Sequence, residues 1–246
     1  MTSGAHANVT LTNAPTLVSG TIYTIEWTGT DAAGNTNAVT TVTGITYDSG
    51  APTVAIVPIT ASPTNAASLT FRVTFSEAVT GFDGTDLDLT NGTAGVGDCS
   101  TSDNIVFDCA VAPTADGLVV ADVPAAAAKD AALNDNTAAP ATASIMSDRT
   151  APVFSALAPA TNSNVNNVII SYTLSEAISS GSVTWTRTGG TADGTSPHIQ
   201  AFVAGEMTSG AHANVTLSNA PTLVSGTIYT IEWIGTDAAG NTNALT

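Results

Sequence analysis

Oxygen-bearing side chains recur in two sets along this chain, and together they could bind a metal ion. One set lies between residues 48 and 135 and the other between residues 148 and 241. Carboxylate and amide oxygens are the ligands that Ca²⁺ prefers, and it takes about 6–8 of them at about 2.3–2.6 Å. The candidate ligands are Asp48, Glu77, Asp83, Asp130, Asn134 and Asp135 in the first set, and Asp148, Glu176, Asp237 and Asn241 in the second.

The same residue types also have a simpler interpretation. Asp, Asn and Gly are ordinary turn residues, and acidic loops can be solvated without binding anything. The spacing of the candidates is looser than that of an EF-hand loop. The sequence therefore leaves calcium binding and plain turns as alternatives, which a chelator and a melting curve would distinguish.

Catalytic chemistry has little support in the sequence. His6 and His212 occupy the same position of an internal repeat, and His198 stands alone in a segment rich in Gly, Ser and Pro. No Ser or Cys lies in a recognisable nucleophile motif, and no Gly-rich phosphate loop follows a strand. We therefore predict that the chain is not an enzyme.

The chain repeats itself at two levels, and the repeats predict its domain organisation. Residues 1–40 return as residues 207–246 with only three differences, and the phrase at 48–52 has a weaker counterpart at 148–152. Self-similarity at such periods indicates tandem modules. We predict a complete module of type A at 49–148, a type B module at 149–246 that lacks most of its last strand, and at 1–48 the C-terminal part of a truncated type B module. Both ends are expected to be cut from a longer array, and 1–48 should not fold alone.

Alternation of apolar and polar residues dominates the modules. Residues 69–75 and 229–233 each place every second residue on one apolar face, which is typical of half-buried strands. Trp27, Trp185 and Trp233 lie in such segments and are expected in the core. Many short strands in about 100 residues predict an all-β fold of antiparallel Greek-key β-sandwiches. In module A the expected strands are 53–58, 68–76, 86–91, 95–100, 105–112, 117–123 and 139–147.

Three phrases resemble bacterial Ig-like repeat domains of giant surface adhesins and biofilm-associated proteins. They are FSEAVTGF at 75–82, TADG at 114–117 and TDAAGN at 236–241. The resemblance implies tandem Ig-like sandwiches arranged end to end. In that fold the incoming linker, the loop after the second strand and the loop before the last strand share one end, so each set of candidate ligands should gather at a junction. A Ca²⁺ ion there would tie neighbouring modules together.

The net charge excludes some classes of partner, and the two cysteines indicate a disulfide. Four Lys and Arg against 20 Asp and Glu give a formal charge of −16, which argues against nucleic acid and against anionic lipid. No apolar run reaches the roughly 18 residues of a spanning helix, so no membrane insertion is expected. Cys99 and Cys109 flank a turn predicted at 101–104, which favours a disulfide over a pair of reduced thiols.

These features favour a non-catalytic spacer in a long extracellular repeat protein, such as a cell-surface adhesin or a fibre stalk. Its expected partners are neighbouring Ig-like modules of the same array. One alternative is a subunit or window of a self-assembling filament or surface layer, in which separate subunits complete one another by strand donation. Another is a carbohydrate-binding module, which would need an exposed aromatic platform at Trp185.

Overall fold

A computed structural model describes His6 and residues 10–243 of the chain. About 43% of the residues lie in strands and 3% in helices, and the strands form several antiparallel sheets. The predicted all-β class is therefore confirmed. Among the described residues, no helix is long and apolar enough to cross a membrane.

The first strands form a hairpin without a core. Strands β1 (Thr21–Trp27) and β2 (Thr40–Tyr47) pair antiparallel, and no residue from 10 to 48 is buried. Trp27 remains 49% exposed, so the expectation that it packs in a core is wrong. A two-stranded sheet has nothing to cover its apolar face, and such hairpins are marginally stable at best.

The first sandwich comprises strands β3 to β10. One sheet has the order β3-β4-β8-β6 with β7 also paired to β8, and the other has the order β10-β9-β5. Residues of both sheets share one buried apolar cluster, so the two sheets pack face to face. The strands are β3 (Val54–Pro58), β4 (Leu69–Phe75), β5 (Asp88–Thr90), β6 (Gly92–Thr93), β7 (Cys99–Thr101), β8 (Val106–Pro113), β9 (Gly117–Asp122) and β10 (Ala143–Ser147).

The alternation of β4 builds much of this core. Its odd-numbered residues, from Leu69 to Phe75, are all buried, because successive side chains of a strand point to opposite faces. On the outer face Arg72 donates two hydrogen bonds to the Asp108 carboxylate, at 2.7 and 2.8 Å. Both side chains are partly exposed to solvent, so this ion pair contributes little to stability.

Two predicted segments of this sandwich differ from the structure. Residues 95–98 form a turn instead of a strand: the Asp98 carboxylate accepts the Gly95 N–H at 2.6 Å, and Asp98 N donates back to the Gly95 carbonyl at 3.1 Å. The last strand begins at Ala143 instead of 139. A polar side chain that bonds nearby backbone competes with the sheet ladder, and alternation alone does not reveal it.

The predicted disulfide between Cys99 and Cys109 is present. The two residues are directly opposite each other in the antiparallel pair β7 and β8. Cys109 is fully buried, so the bridge fastens the short strand β7 to the core strand β8.

The second sandwich comprises strands β11 to β16. Its two sheets have the orders β11-β12-β15 and β14-β13-β16, and they share a second buried cluster that includes Trp185 and Trp233. These two tryptophans therefore lie in a core, as predicted. The strands are β11 (Phe154–Ala158), β12 (Ile170–Leu174), β13 (Ser180–Gly190), β14 (His198–Ala201), β15 (Gly210–Val215) and β16 (Thr227–Thr236).

Candidate metal centres

Three loops of the chain share one local design, in which an Asp is followed four residues later by an Asn. They are residues 31–35, 130–134 and 237–241. In each loop one carboxylate oxygen accepts the backbone N–H of the Asn, at 2.8, 2.9 and 2.9 Å respectively. The other oxygen accepts the Asn side-chain Nδ2 at 2.8 Å in all three. Local sequence thus fixes the orientation of each carboxylate.

The residue before the Asn adopts left-handed backbone in all three loops. Gly34 and Gly240 have φ of +89° and +94°, whereas Leu133 has φ of +69°. Left-handed backbone strains any residue that carries a Cβ atom, and only glycine adopts it freely. Leu133 is 72% exposed, so its side chain gains little packing in return.

We expect Leu133→Gly to stabilise the first sandwich by up to about 1 kcal/mol, since relief of a left-handed side chain outweighs the added freedom of the unfolded chain. Thermal unfolding monitored by circular dichroism measures the change. Leu118→Gly is the matched control, because Leu118 is also exposed but lies in strand β9; it should destabilise. A lower melting temperature for Leu133→Gly would contradict the strain argument.

At one end of the first sandwich, the incoming linker and two loops bring three carboxylates together. Asp48 lies in the linker after β2, Glu77 follows β4, and Asp130 lies in the 130–134 loop. One carboxylate oxygen of each lies within 4.8 Å of the others. Asp130 is buried, while Asp48 and Glu77 are half-buried. Ser19 Oγ, from the turn before β1, donates to the Asp48 carboxylate at 2.9 Å.

The same arrangement recurs about 100 residues later. Asp148 in the linker, Glu176 after β12 and Asp237 in the 237–241 loop again place one carboxylate oxygen each within 4.8 Å of the others. Asp237 is buried and the other two are half-buried. We call the two groups the first trio (Asp48, Glu77 and Asp130) and the second trio (Asp148, Glu176 and Asp237).

Electrostatics within the trios oppose ionisation of the glutamates. Burial raises the pKa of Glu77 above its usual value, and the charges of Asp130 and Asp48 raise it further. Burial raises the pKa of Glu176 in the same way. The charges of Asp148, Asp237 and Asp116 raise that pKa further. A bound divalent cation would remove this penalty, because it offsets both the repulsion and the lost hydration.

The aspartate of the first trio's 130–134 loop behaves differently. Burial disfavours the charged form of Asp130, yet hydrogen bonds from the Asn134 side chain and backbone hold its pKa below the usual value. It therefore stays a carboxylate. The donor set of each trio consists of oxygen alone, which suits a hard cation such as Ca²⁺ better than zinc or copper.

Of the other predicted ligands, two asparagines lie beside the trios and two aspartates have partners elsewhere. Asn134 Nδ2 also donates to the Asp48 carbonyl at 3.3 Å, and Asn241 Nδ2 donates to the Asp148 carbonyl at 2.8 Å. Both asparagines thus connect the loop to the incoming linker. Asp83 caps the 3₁₀ turn Gly84–Asp86, and Asp135 forms an ion pair with Lys129; neither belongs to a trio.

The first sandwich, with its incoming linker and both loops of the first trio, corresponds to a known domain type. Residues 48–146 match the family model of the bacterial Ig-like domain. The match begins at Asp48 and covers strands β3 to β9 and all of β10 except Ser147. The first sandwich is therefore similar to a bacterial Ig-like domain, and it is called the Ig-like domain below. No curated protein and no solved structure matches the chain.

The end of the Ig-like domain opposite the first trio contacts the loop and the linker that carry the second trio. The Asn65 N–H donates to the Ala239 carbonyl at 3.1 Å, and Ala239 lies in the 237–241 loop. The Asp116 carboxylate accepts Arg149 N at 2.8 Å and Thr150 Oγ1 at 2.5 Å. The second trio therefore lies where the Ig-like domain and the second sandwich meet.

Sequence reasoning missed a half-buried polar network in the second sandwich. The Asp193 carboxylate accepts from Tyr229 Oη at 2.6 Å and from Thr195 Oγ1 at 2.7 Å, and it bonds His198 Nε2 at 2.7 Å. These bonds, that of Tyr229 foremost, hold the pKa of Asp193 well below its usual range. His198 begins strand β14 instead of standing free in a loop, and the network fixes the 191–197 connection. Tyr229 is 36 residues from Asp193 along the chain, so the spacing of residues in the sequence does not indicate this contact.

Proposed function

We propose that this chain is a non-catalytic structural segment of a long extracellular protein, a surface adhesin or a fibre stalk. Its sandwiches follow one another end to end, and Ca²⁺ at the two trios fixes each linker to the sandwich that follows. The work of such a segment is mechanical: it sets the reach and the stiffness of the structure that it extends.

The observation that carries this proposal is the recurrence of the trio at equivalent places. Each trio combines one linker carboxylate with two carboxylates from the end of the next sandwich. A cation bound by all three would therefore resist bending of the linker. A functional pocket of a single binding domain would have no reason to recur at each linker.

Two features support the extracellular part of the proposal. A disulfide between Cys99 and Cys109 suits an oxidising compartment, and bacterial Ig-like domains often occur in surface or extracellular proteins.

The carbohydrate-binding alternative needs an exposed platform at Trp185, but that side chain is only 2% exposed. A platform of that kind is therefore not available at Trp185.

Thermal unfolding of the full chain in EGTA, in Ca²⁺ and in Mg²⁺ tests the proposal. Ligand at about 100 times its Kd stabilises the folded state by about 2.7 kcal/mol, which corresponds to roughly 10 °C or more for a domain of this size. We expect Ca²⁺ to produce a shift of this order and Mg²⁺ a much smaller one. Equal melting temperatures in EGTA and Ca²⁺ would refute the junction site.

The double variant Glu77→Gln with Glu176→Gln should lose the calcium response. In EGTA it should melt higher than the unchanged chain, because the raised pKa of each glutamate shows that its charge destabilises the folded state above that pKa. The unchanged chain in EGTA should likewise gain stability as pH falls from 7 towards 4.5, the ordinary value of Glu. Glu26→Gln with Asp88→Asn removes two exposed charges elsewhere and should retain the calcium response.

A further inference from the structure

A segment of the Ig-like domain, residues 62–66, lies where its last strand ends and the linker to the second sandwich begins. Ser62 Oγ accepts Met146 N at 2.9 Å, and Thr64 N donates to the Met146 carbonyl at 3.0 Å. Thr64 also forms a parallel bridge with Ser147. The segment is therefore fastened to the end of strand β10.

The same segment contacts the Asp–Asn loop of the second sandwich. The Asn65 N–H donates to the Ala239 carbonyl at 3.1 Å. Ala239 is only 9% exposed, whereas Ala33 and Ala132, at the same place of the two other Asp–Asn loops, are exposed. The loop by itself leaves this alanine open to solvent, so the neighbouring Ig-like domain is what covers Ala239.

The linker between β10 and β11 has little freedom of its own. Asp148 N donates to the Thr64 carbonyl at 2.9 Å on the side of the Ig-like domain. Val153 N donates to Ser175 Oγ at 2.9 Å on the side of the second sandwich. Pro152 has a fixed φ and also restricts the residue before it. A short linker that is bonded to both sandwiches can hold them in one orientation.

Asp116, in the turn before β9, binds this linker through a charged acceptor. Its carboxylate accepts Arg149 N at 2.8 Å and Thr150 Oγ1 at 2.5 Å. Hydrogen bonds to an ionised acceptor are roughly twice as strong as neutral ones. These bonds, that of Thr150 foremost, hold the pKa of Asp116 below its usual value, so the acceptor is charged at neutral pH. The Arg149 side chain also reaches back to the Ala66 carbonyl at 3.5 Å.

The first linker has a weaker contact at the equivalent place. Ser19 lies in the turn before β1, and its hydroxyl accepts Ser49 N at 3.0 Å. Ser49 follows the linker carboxylate of Asp48 just as Arg149 follows that of Asp148. The acceptor there is neutral, so the charged contact of Asp116 distinguishes the second linker from the first.

We propose that residues 62–66 and Asp116 form a clamp that holds the second sandwich in one orientation on the Ig-like domain without a metal ion. Every bond of the clamp joins two protein groups, so it closes whether or not a trio binds calcium. The buried clusters of the two sandwiches remain separate. The clamp therefore fixes their orientation without merging their cores, and the two sandwiches extend as one stiff unit.

Amide hydrogen exchange of the full chain in EGTA, followed by NMR, tests the clamp. Asn65 N donates across the junction, whereas Thr64 N donates to Met146 within the Ig-like domain. These neighbouring amides are therefore the probe and its control. We expect both to exchange slowly in EGTA, because both are bonded in the closed state. An Asn65 amide that exchanges as fast as an unstructured one, beside a protected Thr64, would overturn the proposal.

The variant Asp116→Ala should open the clamp. We expect exchange of the Asn65 amide to become roughly 10- to 100-fold faster, because bonds to a charged acceptor are lost, while Thr64 keeps its rate. Asp88→Ala removes an exposed carboxylate of β5 and should change neither amide. Asn65 protection that is unchanged in Asp116→Ala, or that appears only when Ca²⁺ is added, would contradict a metal-free clamp. The melting experiment in EGTA and Ca²⁺ concerns the trios alone, so the two proposals can fail separately.

Discussion

Replacing Phe75 by Ala should destabilise the Ig-like domain by about 3–5 kcal/mol and leave the second sandwich unchanged. Phe75 is 2% exposed, and its ring packs edge-on against Phe82 and Phe107, with centroids 5.2 and 5.8 Å apart. The truncation removes both contacts and leaves a cavity in a close-packed core. A loss of this size is a large part of the stability of a domain of about 100 residues.

The positions of the tryptophans let one experiment follow the two sandwiches separately. The Ig-like domain has no Trp, whereas Trp185 and Trp233 are both buried in the second sandwich. In urea, Phe75→Ala should produce an early transition by circular dichroism while the tryptophan fluorescence transition stays in place. Val57→Ala, at an exposed position of β3, should change neither by more than about 0.5 kcal/mol. A common shift of both signals would mean that the sandwiches unfold as one unit.

The strands could be predicted from the sequence because their signal is local. The residues of β4 alternate without interruption, and each alternate side chain is buried as expected. The disulfide was predictable for the same reason, since Cys99 and Cys109 flank a short turn and face each other across β7 and β8. The turn at 95–98 could not be predicted in this way, because it depends on one side chain: the Asp98 carboxylate accepts the Gly95 N–H.

The trios were partly predictable because the repeat reveals which residues occupy equivalent places. Asp48 and Asp148, Glu77 and Glu176, and the two Asp–Asn loops were all selected from the sequence, and the structure brings the carboxylates of each group together. Proximity along the chain also suggested Asp83 and Asp135. Asp83 instead accepts the Thr85 N–H two residues later, and Asp135 pairs with Lys129. Membership of the same loop does not show which acidic side chains have such local partners.

Replacing Tyr172 by Ala should destabilise the second sandwich by about 3–5 kcal/mol, and Tyr172→Phe divides that loss into its parts. The ring is 1% exposed and packs against Phe154 and Phe202, while its hydroxyl donates to the Glu206 carbonyl at 2.6 Å. Phe keeps the packing and loses the donor, so we expect a loss of about 1–2 kcal/mol. Tryptophan fluorescence in urea measures both, and the Ig-like domain serves as the internal control.

High pH provides an independent test of the same hydroxyl. Burial raises the pKa of Tyr172 far above its ordinary value of 10, and the charge of Glu206 raises it further. The folded state therefore keeps its proton at a pH where the unfolded chain releases it, so the stabilisation is complete below pH 10 and is lost as pH rises above 10. The loss should approach about 1.4 kcal/mol per pH unit in the second sandwich. Tyr172→Phe should remove this slope, and an unchanged slope would show that another group controls the alkaline unfolding.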